Sequence, residues 1–490
     1  MSGPKPGRPA RWLEAAADRL PIALVMLVIA GLALRIALSL AYAPAYAHSY
    51  DTLLYVDVAA GELFGDATRT VGYPLFLRGV HALSSDVDLT IQVQHLLGIA
   101  TAILLYGAVR RLGAPLWTGL VAAAAVLISL DQIFLEHVLM AEAPYTALLA
   151  AALYAAVRAL EEPRRLRGPL DGRQLWILAA GVALGLASWL RPVTVPIALF
   201  LCLWVALAIP GLWRARALRA ALAAAGSGAM ILSYFALNAA ETGEFGFGTA
   251  SGWALYSRAA PFADCERFQP PPGTEALCEA TPTEARNGPD FYGWQPDSPA
   301  REVFGTPPGG DAKLAAFARE SIVHQPLSYA KVVARDFVRY FHPAFSPQDF
   351  SGLGYEEFDV TTRLPVEDQI LASMNAYYSD EELRVGDASE TLGEIQDVVR
   401  VHPKLMLLAL LFAFAGIWLG RGRVRAGIVL MLGFFAISLL APPATSIWSV
   451  RYAIPVGGVI LAAGAIGAWL VAQRLAGGPA RGSSGEPIPG

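Results

Sequence analysis

Asp51 lies just beyond an apolar run, and Glu142 stands two residues ahead of Pro144 at the head of another. A carboxylate placed within reach of a hydroxyl can take its proton. Arg191 sits at the tight junction between two apolar runs and Arg451 just before the last one. A guanidinium offers phosphate a planar fork of donors. Arg69 shares with Asp51 a polar stretch, His48 to Arg78, that reads HSYDTLLYVDVAAGELFGDATRTVGYPLFLR. Ionisable groups at membrane depth are expensive to keep, so these residues, with Asp57, Glu136 and His137, are the first candidates for function.

The elements that must position them are spanning helices. Of 490 residues, 55% are hydrophobic and 16% charged, and the mean hydropathy is +0.45; this is the composition of a polytopic membrane protein. The net charge of −4 carries no basic excess, so nucleic acid is not an expected partner. At roughly 20 apolar residues per crossing, spans are expected at 22–43, 88–109, 115–131, 143–160, 173–190, 193–212, 217–239, 403–420, 425–444 and 452–473, which makes about ten. Arginine clusters fall before the first span, after the second, between the fourth and fifth, sixth and seventh, and eighth and ninth, and after the tenth. Positive loops stay in the cytoplasm, so both termini are expected there and the active loops on the opposite, extracytoplasmic face of the cell membrane.

The organisation that follows is a cytoplasmic tail at 1–21, an N-terminal membrane module at 22–239 whose polar first loop is 44–87, and a mostly helical extracytoplasmic domain at 240–402. C-terminal spans at 403–474 and a disordered tail at 475–490 complete it. In the first loop an amphipathic helical pattern follows Asp51, and Gly72-Tyr73-Pro74 reads as a turn. Within the domain, 312–341 reads as two amphipathic helices broken at Pro326. Cys265 and Cys278 flank a Pro/Gly-rich stretch there and can close a disulfide on the oxidising side, the alternative being two free thiols. Cys202 lies inside an apolar run and reads as core.

At this point the chain resembles a family. Asp51, Tyr55 and Gly72-Tyr73-Pro74-Leu75 in the first loop, Glu142-Ala143-Pro144, LGLASWLRP ending in Arg191-Pro192, and Arg451-Tyr452-Ala453-Ile454-Pro455 look like the GT-C membrane glycosyltransferases, in particular the protein mannosyltransferase and aminoarabinose transferase branch. The resemblance covers 20–240 and 403–474. It implies an all-α, GT-C-type fold and transfer of a sugar, a hexose such as mannose, from a polyprenyl-phosphate donor to an extracytoplasmic glycan, lipid or protein, with inversion. On that reading Asp51 is the general base, with Glu142 as second catalytic acid residue. Arg191, Arg451 and Arg69 bind the donor phosphate, and Tyr55 and Tyr73 line the substrate. The adjacent acidic pair common in the first loop of such enzymes is here Asp51 followed by Thr52, which leaves open a divalent metal at Asp51, His48 and Glu142.

Plainer readings stand beside these. Asp51 can cap the loop helix, Glu142 can complement a helix dipole, and Arg191 and Arg451 can snorkel to headgroups. His48 and His137 lack a metal spacing such as HExxH. The alternative functions are a lipid-linked glycan polymerase or ligase, and a transporter or flippase. Internal repeats and matching broken helices would mark a transporter, and the sequence has neither.

Overall fold

The computed structural model describes residues 20–45, 49–161, 171–342, 360, 368–379 and 384–477. His48, most of the expected N-terminal tail and the expected C-terminal tail beyond Gly477 lie outside the described residues.

Each expected span falls on a helix: Leu20–Ala41, Val87–Arg111, Leu116–Leu127 with Leu130–His137, Glu142–Arg158, Gly172–Leu190, Val195–Ala208, Trp213–Thr242, Pro403–Leu419, Gly422–Thr445 and Ile454–Leu475. Among the described residues, seven helices are long and apolar enough to cross a membrane, and eight if the pair Leu116–Leu127 and Leu130–His137, bent by 46°, is one span. This is fewer than the sequence led us to expect. The difference lies in short helices: Glu142–Arg158 has 17 residues, and the apolar helix Pro192–Ala208 is no longer, which puts both at the lower limit of a bilayer crossing.

Ile454–Leu475 is the axis of the bundle, buried over most of its length. Gly464 and Gly467 let helix Pro403–Leu419 approach so closely that a Cβ at either position would meet the backbone of Ala409 or Phe412. Small residues at a crossing point are the usual way for membrane helices to gain packing without a hydrophobic driving force.

The first loop is held against this bundle. Helix Ser49–Ala60 forms where the pattern predicts one, with Asp51 inside its first turn and not ahead of it. Gly72-Tyr73-Pro74, expected as a turn, instead starts the helix Gly72–His81. A Cβ on Gly72 would collide with the backbone of Trp189 and Leu190, so glycine is needed there for close approach. Thr70 Oγ1 donates to the Leu190 carbonyl at 3.0 Å. These contacts clamp the loop onto the end of the helix that precedes Arg191.

The described residues of 240–402 fall into two groups. Helices Ser251–Ala259, Pro289–Trp294, Asp311–His324 and Pro326–Arg339, the last two meeting at Pro326 as expected, enclose a core of their own that includes Trp253, Tyr256, Phe268, Tyr292 and Phe317. A disulfide joins Cys265 to Cys278 beside it. Helices Asp368–Tyr377 and Ala388–Val399 pack elsewhere. Ile370, Met374, Tyr378 and Leu392 belong to the bundle core, Ser373 bonds Asp57, and Gln396 and Arg400 reach Asp131 at 2.7 and 3.1 Å. A two-residue antiparallel ladder, Tyr42–Ala43 with Arg384–Val385, ties this half to the end of the first span.

Candidate active site

Four separate parts of the chain bring charge to one place. Asp51 enters from the first turn of helix Ser49–Ala60, and Arg69 from the loop behind it, where the Asp66 carboxylate accepts from the backbone N–H groups of Thr68 and Arg69 at 2.7 Å each. Glu142 occupies the first turn of helix Glu142–Arg158, where the helix dipole favours an anion. Arg191 ends helix Gly172–Leu190 in extended backbone, φ −147° and ψ 112°, as required of a residue that precedes proline. Arg451 lies on the single 3-10 turn Val450–Tyr452, its N–H donating to the Ser449 hydroxyl at 3.3 Å.

The two oxygens of the Asp51 carboxylate accept from different arginines, Oδ1 from Arg69 and Oδ2 from Arg451. Glu142, fully buried, accepts from Arg191. Tyr452 joins the two pairs: the Arg191 guanidinium lies 5.0 Å from its ring centroid and that of Arg451 5.4 Å. Arg69 in turn lies 5.6 Å from the ring of Trp294. Burial alone would raise the pKa of Asp51, but Arg69 and Arg451 outweigh it and hold the carboxyl well below the usual range. The same burial, reinforced by Asp51, pushes Tyr55 up to about 12, so its phenol stays protonated and can only serve as a neutral hydrogen-bonding group.

Three guanidiniums and two carboxylates leave an excess of one positive charge. Nε of Arg191, Nε of Arg451 and Oε2 of Glu142 are buried with no hydrogen-bond partner. Buried donors left unmade are expensive, and here they lie on the two arginines that share Tyr452. The set suits an oxyanion. It does not suit a cation: Asp51 and Glu142 both face guanidiniums, His48 is outside the described residues, and among the described residues no group of three or more His, Cys, Asp or Glu is arranged to hold a metal ion.

Tyr73 requires a correction. It is fully buried, its hydroxyl donates to Gln94 Oε1 at 2.7 Å, and its ring meets Tyr55 edge-on at 4.9 Å. It supports Tyr55 from behind and has no surface left for a substrate.

A second buried network joins two of the candidate residues, Glu136 and His137, to three that the sequence reading does not single out, Arg35, Gln94 and His95. Arg35, inside the first span, donates to both oxygens of Glu136 at 2.8 and 2.9 Å. His95 Nδ1 lies 3.2 Å from Glu136, His95 Nε2 lies 3.3 Å from His137 Nδ1, and His137 Nε2 lies 2.8 Å from the Tyr42 carbonyl. Gln94 donates to the carbonyls of Glu136 and Val138 at 2.8 and 2.9 Å. The network fixes residues 136–138, the segment that leads into Glu142. Its sequence signal was available: an arginine in mid-span and a Gln-His pair in an apolar helix are functional or structural anchors by default.

Comparison with known proteins gives two findings. Residues 92–240 match the family model for dolichyl-phosphate-mannose-protein mannosyltransferase. Among solved structures, the chain is similar to ArnT from Cupriavidus metallidurans, in the form bound to undecaprenyl phosphate (13% identity, covering 91% of this chain and 77% of that one, TM-score 0.35) and in the apo state (13% identity, 90% and 76%, TM-score 0.35). Among curated proteins none matches. The segment matched by the mannosyltransferase family model is less than a third of the chain and contains Glu142 and Arg191, two of the five charged residues of the site.

Proposed function

We propose that the chain transfers a sugar from a polyprenyl-phosphate donor to an acceptor hydroxyl on the extracytoplasmic face, with inversion at the anomeric carbon. The observation that carries the reading is the single excess positive charge among Asp51, Glu142, Arg69, Arg191 and Arg451. A sugar phosphodiester carries one negative charge and neutralises it. Nucleotide sugars are confined to the cytoplasm, so an enzyme acting on the other face needs a donor already in the lipid. A hexose such as mannose is the sugar, a choice supported by the family matched over 92–240.

In the mechanism the donor phosphate binds between Arg191 and Arg451, using their unpartnered Nε donors. Glu142 keeps Arg191 in place. As Arg451 turns to the phosphate, its hold on Asp51 weakens and the carboxylate becomes more basic. The acceptor hydroxyl attacks the anomeric carbon, the new C–O bond forms as the bond from that carbon to the phosphate oxygen breaks, and Asp51 takes the hydroxyl proton. Polyprenyl phosphate leaves with the bonding electrons, and the arginines stabilise the charge it gains. One displacement inverts the anomeric centre, for which a single base suffices, unlike the paired carboxyls of hydrolases.

The test is incubation of purified protein, in lipid nanodiscs, with radiolabelled polyprenyl-phosphate mannose, glucose and aminoarabinose in turn. Release of polyprenyl phosphate from one of them, unaffected by chelator, supports the reading. Movement of donor across a bilayer without turnover would make the chain a flippase.

A further inference from the structure

Trp294 lies against Arg69, the guanidinium that donates to Asp51 Oδ1. It ends the short helix Pro289–Trp294, whose neighbouring residue Tyr292 is fully buried and donates to Glu279 Oε2 at 2.6 Å. Gly293 packs against Ser257, and the Cys265–Cys278 disulfide borders the same core. With Tyr292 anchored inward, Trp294 is turned outward and is 41% exposed. Large apolar side chains left exposed on a rigid support beside a polar site are typical of ligand contacts.

Its place relative to the charges is specific. Asp51 bridges two arginines, and on the Arg451 side the next groups are Tyr452 and Arg191. On the Arg69 side the next group is Trp294. If Arg191 and Arg451 take the donor phosphate, Trp294 stands across the base from the leaving group, where the acceptor must enter to attack the anomeric carbon in line.

We propose that Trp294 is the platform for the acceptor and that the acceptor is a carbohydrate presenting a pyranose ring, not a serine or threonine of a protein. The π-face of an indole is electron-rich, and one face of a pyranose presents several C–H bonds polarised toward positive charge. The ring lies flat on the indole while its hydroxyls remain at the edge, one of them toward Asp51. Arg69, held by Asp51 and stacked on Trp294, fixes the indole and can donate to a neighbouring hydroxyl. This inference rests on the phosphate assignment above for its direction along the site.

The experiment needs no donor. Protein in nanodiscs is mixed with manno-, gluco- and galacto-configured trisaccharides and with a serine/threonine-rich peptide, and saturation-transfer NMR reads which ligand protons receive magnetisation. The expected result is saturation of the C–H protons of at least one trisaccharide and none of the peptide. Trp294→Ala should weaken that binding about tenfold and Trp294→Tyr should keep most of it, since an aromatic face is retained. Saturation of the peptide alone, saturation of nothing, or equal saturation by Trp294→Ala each overturns the proposal. Binding of polyprenyl phosphate to Arg191→Ala and Arg451→Ala is measured in parallel; undiminished binding there overturns the donor assignment, whatever the saccharides do.

Discussion

Asp51 and Arg451 stand 400 positions apart in the chain and form an ion pair in which each side chain is 12% exposed. The contact requires the first loop and the start of the last helix to meet, and the clamp of Gly72 and Thr70 on the Trp189–Leu190 backbone brings Arg191 to the same place. A snorkelling arginine or a capping aspartate needs no such partner.

The pH dependence follows from that pair. Asp51 is held below its ordinary value, near 3.9, so its contribution to stability is fully present above that value and is lost only as pH falls through the lower, folded-state one. Between about pH 5 and 9 its charge is constant. Since kcat/KM reports the free enzyme and kcat the bound complex, we expect no acid limb from Asp51 in kcat/KM and one at higher pH in kcat, where the phosphate has drawn Arg451 away. An acid limb at the same pH in both profiles would contradict the release of Asp51 on donor binding.

Arg191 and Arg451 should be separable from Arg69 by kinetics. Alanine at either should lower transfer on the order of a hundredfold, the usual worth of one preorganised donor to a developing anion, with weaker binding of polyprenyl phosphate. Lysine should restore activity only in part, because it lacks the planar fork. Wild-type rates in an alanine variant would return that arginine to the headgroup region.

The buried network makes a prediction about stability. Breaking the Arg35–Glu136 pair with a single alanine should destabilise by about 3–5 kcal/mol, because an unpaired charge is left inside. The doubly apolar variant Arg35→Met with Glu136→Leu should recover much of this. Melting of purified single variants at the wild-type temperature would remove the network from the structural account.

Sidedness is tested by labelling. In a Cys202→Ser background, cysteine at exposed Glu302 should react with an impermeant maleimide in intact cells, and cysteine at exposed Arg423 only after lysis. The reverse pattern would place the site in the cytoplasm and remove the reason for a lipid-linked donor.

The spans and the charged residues at their ends were legible in the sequence because a carboxylate or guanidinium beside twenty apolar residues stands out. Pairing was not legible. Nothing in the local pattern says that Glu142 meets Arg191, or that Asp51 meets two arginines, because those contacts depend on how helices cross. Arg35, Gln94 and His95 were passed over because the surrounding hydropathy masks a single polar side chain. Tyr73 was misread because a Gly-Tyr-Pro triplet looks like a turn in isolation, whereas Gly72 is present for backbone contact and Tyr73 for the core. The split of 240–402 was hidden for a related reason: apolar residues such as Ile370 and Met374 look alike whether they build a separate domain or pack onto the bundle.

The central claim is that Asp51 is the base, and the most direct test is the turnover of Asp51→Asn with polyprenyl-phosphate sugar in nanodiscs. Asparagine keeps the shape and caps a helix about as well as aspartate, yet it cannot accept the proton. Transfer should fall by roughly a hundredfold to ten-thousandfold while polyprenyl phosphate still binds. Retention of most activity by Asp51→Asn, with loss in Glu142→Gln, would contradict the account and move the base to the head of helix Glu142–Arg158.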